Sequence, residues 1–465
     1  MSLVILSLWS ILSAPPGVLN GQTDWLYDEL YLRNGGYFRG VLLEETPGMI
    51  RFQTVRRAPG RPTVTLTLRF NRDEISRIHR LSEENRRILQ EKLAELDPTG
   101  VGERRRMEEL TLHRTDWFGR PDAAFAYPSD QFILISGATE EVTRRAAVRL
   151  EQITAAFTRL LPPRPGEHLP IRIYLAGSPE EYAKLLGPRH SRLLNPAVYD
   201  PEGRRIICGS DLRRLGDELA KTRLAHQQQL AGIQRYEANL RQAYQGQKTE
   251  LDRFLAVAQR ERQRVLYAER SNDRAFDQAT RQLFALLYHE LFHAYVATSR
   301  SSPARFGPAS TAQGSAELPR WLNEGLAQIF ETALVEAGEL RIGHADELRL
   351  NRVQTLLKKP EDEGLMPLSQ LLRAEPTLFL AAHGGEQGLA ERAYLTAWAV
   401  AHHLTFQRNL IGTKPFEEYL ASLDRGGDPI AAFEKLVGAE LPEYERSLRN
   451  DLSRLLPSGH LIPEK

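Results

Sequence analysis

A single cysteine, Cys208, stands in 465 residues, so no disulfide can form within the chain. Cysteine usage therefore does not settle the compartment, and the lone thiol reads as a small buried hydrophobe. Charge of one sign is also missing. Lys and Arg number 61 against 60 Asp and Glu, a net charge of +1, so no global field argues for nucleic acid or an acidic partner. Apolar runs of membrane length are absent, which predicts no stable span in the mature chain. The longest candidate is the ten-residue run from Leu3 to Leu12, too short to cross a bilayer. It is followed by small residues around Ala14 and Gly21, and residues 1–21 fit a secretory signal. The usual basic start is lacking, since no Lys or Arg precedes Arg33. A secreted or periplasmic protein is the expectation, with a cytosolic start as the alternative.

What is present is ordinary soluble composition, 42% hydrophobic and 26% charged, in a chain long enough for two or three domains. One stretch stands out. His289-Glu290-Leu291-Phe292-His293 sits in the run from Leu283 to Val296, which has no Gly or Pro and is apolar on either side of the motif. That pattern predicts a buried helix. Residues four apart share a helix face, so His289 and His293 can aim at one metal ion. Glu290 is turned about 100° away, beside the metal, where a base acting on water belongs. This is the H-E-x-x-H pattern of zinc hydrolases.

Catalytic zinc usually takes three protein ligands and keeps one position open. The third ligand is sought in Leu318-Pro319-Arg320-Trp321-Leu322-Asn323-Glu324-Gly325-Leu326-Ala327, a predicted helix. Glu324 is the first choice. Glu317 precedes Pro319 and falls outside that helix. Glu331 is seven residues past Glu324, about 10 Å along the axis on the same face. It can support a ligand histidine but cannot share the same coordination sphere. Trp321, Leu322, Leu326 and Ile329 should anchor the helix, and Gly325 should permit close approach to the first helix.

The two motifs together resemble the gluzincin class of zinc metallopeptidases, which includes thermolysin, and within it the peptidase MA-like domains of bacteria. The resemblance covers roughly residues 123–456. It implies one Zn²⁺ held by His289, His293 and Glu324, with Glu290 as base. One departure is Gln328, which stands where thermolysin-like proteins carry an Asp that orients a ligand histidine. A Gln oxygen can accept from an imidazole but adds no charge, which bears on metal affinity and water activation.

The rest of the chain divides around this centre, and an α+β fold is expected. Residues 22–81 hold five short alternating segments with turns at Asn34-Gly35-Gly36 and Pro47-Gly48, and resemble a small SH3-like or Sm-like β-barrel. Residues 82–122 read as a helix and a linker carrying the basic run Arg104-Arg105-Arg106, taken as a solvated face. Residues 123–210 show a βαβ-type pattern, closed by a hairpin around Asp200-Pro201-Glu202-Gly203. In the gluzincin resemblance this is the sheet above the active-site helix, whose edge strand would bind a peptide.

Residues 211–272 read as a helical hairpin inserted ahead of the zinc-binding helices, with a break near Gly246. The zinc-bearing helices take residues 273–338, joined by a Ser/Pro/Gly-rich rim from Ser299 to Ser315. Residues 339–457 form a helical C-terminal subdomain. There Tyr394 is the first candidate to stabilise the oxyanion and His383 the second. His402 and His403 are adjacent and point apart, so they cannot chelate as a helical pair.

These readings predict a zinc-dependent hydrolase, foremost a metallopeptidase acting on a peptide or protein substrate. The rival is a non-catalytic binding or scaffold protein on a peptidase-like fold, using the β module or the helical hairpin for partners. Hydrolysis of a non-peptide amide is a third option that the ligands alone do not exclude.

Overall fold

The computed structural model describes residues 25–58, 61–94, 101–165, 169–187, 196–300, 318–336, 339–341, 345–360, 362–380, 387–457, 459 and 461–462. The expected signal segment 1–21, the rim residues beyond 300, Glu317 and His383 lie outside them.

The N-terminal module is a five-stranded sheet, β1 (Asp28–Leu32), β2 (Tyr37–Glu45), β3 (Met49–Ala58), β4 (Arg61–Asn71) and β5 (Ile75–His79), in the order β4-β3-β2-β1-β5. The predicted barrel is corrected here. β4 and β5 are the two outer strands and no ladder joins them, so the sheet is open among the described residues. Alternation gives it two small cores. Leu30, Ile50, Phe52, Phe70 and Ile75 fill one. Trp25, Val41 and Val55 form the other with Leu89 of α1 (Glu83–Ala94), so a helix covers what closure would otherwise have buried. Buried Asp28 ties the two together by accepting from the N–H groups of Leu42 and Leu81 and pairing with Arg86.

The predicted linker is also corrected. It contains α2 (Val101–Glu109) and the strands β6 (His113–Trp117) and β7 (Arg120–Pro128), so the second sheet starts at His113, not Ala123. β6 is an outer strand with only Trp117 buried, and such a strand carries no apolar alternation to read. The basic run is not simply solvated: Arg104 pairs with Glu269 and Arg106 with Glu151.

The sheet continues through β8 (Phe132–Ser136), β9 (Ile171–Ala176), β10 (Ala197–Asp200) and β11 (Arg205–Gly209), in the order β10-β11-β9-β8-β7-β6. Only β8–β9 and β9–β11 are parallel. α3 (Glu140–Leu160) starts at the Thr139 cap and buries an apolar face in the main core. α4 (Pro179–Leu186) starts at Ser178, whose hydroxyl accepts from Glu181 N–H. The Glu181 carboxylate in turn accepts the Gly177 N–H at 3.0 Å.

The helical hairpin forms, from α5 (Leu212–Ala243) and α6 (Lys248–Ser299), with Gly246 in the turn at φ +84°. It is not a module set ahead of the motif helix. α6 is one helix of 52 residues that runs from the hairpin tip through His289 and His293. The reason is in the sequence: no Gly or Pro interrupts Lys248–Ser299. Buried Arg145 of α3 meets Asp277 of α6 at 3.2 Å, and Arg149 meets the same carboxylate at 2.7 Å. Arg223 of α5 bridges Glu141 and Asp273. This lattice fixes α6 against the sheet domain before it reaches the motif.

The remainder is helical apart from a small hairpin of β12 (Leu334–Glu336) and β13 (Glu339–Arg341). α7 (Arg320–Glu331) is followed by α8 (Glu347–Leu356), α9 (Leu368–Leu372), α10 (Pro376–Leu380), α11 (Gln387–His402), α12 (Lys414–Asp424), α13 (Pro429–Val437) and α14 (Leu441–Arg454). One core joins α3, the second sheet, α6, α7 and these helices. Among the described residues no helix is long and apolar enough to cross a membrane.

Candidate metal centre

Two helices meet at the motif. α6 brings His289 and His293 to its face against α7, and α7 brings Glu324. α7 is held by Trp321, Leu322, Leu326, Ile329 and Phe330, all buried. Gly325 does permit close approach, but to α11 rather than to the first motif helix. A Cβ there would stand 2.4 Å from the Ala397 carbonyl oxygen and 2.7 Å from Ala401 Cβ. Gly325→Ala should therefore push α7 off α11 and destabilise the fold by about 1–3 kcal/mol, measured by denaturant unfolding.

The three expected ligands converge. His289 Nε2 and His293 Nε2 are 3.0 Å apart. Glu324 Oε2 lies 3.4 Å from His289 Nε2, and Glu324 Oε1 lies 3.5 Å from His293 Nε2. Zinc bonds of about 2.0–2.1 Å at tetrahedral angles set donor atoms about 3.3–3.4 Å apart. The donor atoms thus already have the spacing such an ion requires. Glu324 is 1% exposed, and apart from the His289 ring 3.4 Å away no donor meets its Oε2. A buried carboxylate oxygen without a donor is costly unless something cationic meets it. The residues present fit a single zinc ion.

The outer nitrogens of both rings are engaged. Glu331 Oε1 lies 2.6 Å from His289 Nδ1, and Asn323 Oδ1 lies 3.0 Å from His293 Nδ1. These contacts put a proton on each Nδ1 and leave both Nε2 lone pairs for a metal. Gln328 does not orient a histidine. Its amide donates to the backbone oxygens of Glu324 and Tyr394. The charge missing at Gln328 is supplied one turn later by Glu331, which Arg349 grips from the other side.

Electrostatics point the same way. Burial works against charge on His289, yet hydrogen bonds and charge from Glu324 and Glu331 win and hold its pKa up, at about 10. Burial and the neighbouring His289 push His293 down, to about 4. Burial opposes ionisation of Glu324, but the histidines and Arg320 keep it low, at about 2. Without metal, the site keeps one proton where a cation would sit. A raised folded-state pKa stabilises the fold fully below the unfolded value near 6.5, and that contribution is lost as pH rises through about 10. Metal-free protein should therefore lose thermal stability between pH 7 and 10. Zinc-loaded protein should not show this loss, because the ion replaces the proton.

Glu290 lies beside this cluster. Its Oε2 accepts the Tyr199 N–H of β10 at 2.8 Å, so the outer strand of the sheet holds this carboxylate. Burial raises its pKa, while the His289 charge opposes the rise. Tyr394 lies within electrostatic range of Glu324 and Glu290, but its hydroxyl donates to the Phe379 carbonyl at 2.6 Å. As an oxyanion donor it would have to leave that partner. His402 and His403 are both buried away from the centre. His403 contacts Tyr444 and Asp451.

Sequence reasoning missed three residues of this centre: Asn323, Arg320 and Arg349. Asn323 directly precedes the candidate ligand Glu324, and Arg320 is one turn before it, so spacing could have found both. Arg349 comes from α8, and no local pattern announces it.

A family model described as "Protein of unknown function (DUF1570)" matches residues 310–424. The matched stretch contains Glu324, Glu331, Arg349 and Tyr394 but not the two histidines. No curated protein and no solved structure matches the chain.

Proposed function

We propose that this chain is a zinc-dependent hydrolase of the gluzincin type, acting on peptide bonds. One observation carries the reading: two imidazoles and a buried carboxylate present donor atoms 3.0–3.5 Å apart, with a separate buried carboxylate, Glu290, alongside. A bound zinc would supply Lewis acidity to a water molecule and to the scissile carbonyl. His289, His293 and Glu324 would hold it, with Glu331 and Asn323 fixing the ring orientations. Glu290 would accept the proton of the attacking water and deliver it to the leaving amine. Tyr199 N–H holds one of its oxygens, and burial makes the carboxylate a better proton acceptor than a solvated one.

The outer strand β10 faces the centre. It ends the sheet order and pairs with β11 on its inner side only. Gly209 N–H reaches Pro196 O, so alternation turns Ala197 and Tyr199 outward. Tyr199 gives its N–H to Glu290, which ties the outer strand to the proposed base. The scaffold reading rests on Gln328 and on the large helical insertion, and the first motive weakens once Glu331 supplies the carboxylate behind His289. Secretion is part of the proposal and rests on residues 1–21 alone.

The test is a peptide-library digest with native, chelator-stripped and zinc-restored protein. Cleavage should vanish on stripping and return with about one zinc per chain. A zinc-loaded protein that cleaves no peptide in the library would favour the scaffold or the non-peptide amide.

A further inference from the structure

The two oxygens of Glu324 are treated unequally, and the cause is a residue with no part in the motif. Arg320 lies one turn before Glu324 on α7, and its guanidinium meets Glu324 Oε1 at 2.5 Å. Oε2 is buried and has no donor apart from the His289 ring, whose Nε2 stands 3.4 Å away. Arg320 is one-third exposed while Glu324 is 1% exposed, so the cation stands between the carboxylate and solvent. The neighbouring chemistry repeats the arrangement: Glu331, behind His289, also carries an arginine, Arg349, on the oxygen that His289 does not use.

A carboxylate can hold a metal through one oxygen or two. A guanidinium bound to one oxygen draws off part of its charge and keeps that oxygen's lone pairs occupied. A cation this close also repels a divalent ion. Glu324 does not need Arg320 to be placed, because α7 is packed in the core on Trp321, Leu322 and Leu326.

We propose that Arg320 is a positioning residue of the metal centre, which restricts Glu324 to one-oxygen ligation through Oε2 and weakens its hold on the ion. This rests on the metal-site reading above. The consequence is a metal short of one donor and less neutralised by its ligands, which leaves more of its charge for a substrate oxygen.

The test uses the full-length chain loaded with cobalt(II) or zinc, and reads metal affinity by competition with a chelator and the visible spectrum of the cobalt form. Arg320→Met should bind metal about tenfold more tightly. Its cobalt absorption should weaken, as expected when a four-donor centre gains a fifth donor. Arg320→Lys keeps the charge, and its affinity should stay within about twofold of native. If Arg320→Met does not fold, Arg320→Gln carries the same comparison. Unchanged or weaker binding in Arg320→Met, with an unchanged cobalt spectrum, overturns the proposal and leaves Arg320 as a helix-surface ion pair. Failure of native protein to bind either metal overturns the site itself, which is a separate outcome from the ranking of the variants.

Discussion

Glu290→Gln should retain zinc and lose about 10²–10⁴-fold in turnover. The substitution keeps the shape of the side chain. Its carbonyl can still accept the Tyr199 N–H that holds Glu290 Oε2 at 2.8 Å. What it loses is the ability to take a proton, and among the described residues none nearby replaces it. His289 and His293 face the metal position through Nε2 and are occupied at Nδ1 by Glu331 and Asn323. Tyr394 gives its hydroxyl to the Phe379 carbonyl. Glu324 and Glu331 are held by Arg320 and Arg349. If Glu290 is the base, the residual rate should lack the low-pH limb seen with native protein. A variant with native turnover on a cleaved peptide would show that another group is the base.

Glu324→Ala should weaken zinc binding by about 10²–10³-fold, since each ligand of a zinc site carries about 3–4 kcal/mol of its affinity. Glu331→Ala should weaken it by only about tenfold, as expected for a residue that orients a ligand. The geometry behind this ranking is plain. Glu324 puts an oxygen 3.4 Å from His289 Nε2, on the metal side of the ring, whereas Glu331 sits 2.6 Å from Nδ1, on the far side. Competition titration with a chromophoric chelator reads both. The opposite ranking would mean that the ligand lies one face-repeat later on α7.

The centre was legible in the chain because it is local. His289 and His293 share a helical turn spacing, and Glu324 lies on a short helix with a clear apolar face. The support around it was partly legible. Glu331 could be placed on the same face as Glu324 from spacing alone, which identified it as a partner for a histidine. Arg349 arrives from α8, and its role depends on tertiary packing that no period encodes. The error at residues 97–122 has the same origin: β6 is a polar outer strand, held by its ladder to β7 and not by burial. The barrel failed for a different reason. Five alternating segments specify strands, but closure depends on whether the two end strands reach one another, and here α1 packs against one face instead. The length of α6 was hidden by a change in composition, not structure. Its first part is polar because it faces solvent and α5, and its last part is apolar because it enters the core, yet no helix breaker separates them.

The central claim is that His289 and His293 hold a zinc ion with Glu324. The most direct measurement is zinc content by mass spectrometry after exhaustive dialysis, comparing native protein with a His289→Ala, His293→Ala double variant that is shown to be folded. The account predicts about one zinc per chain in the native protein and almost none in the variant. Equal, sub-stoichiometric zinc in both would contradict it.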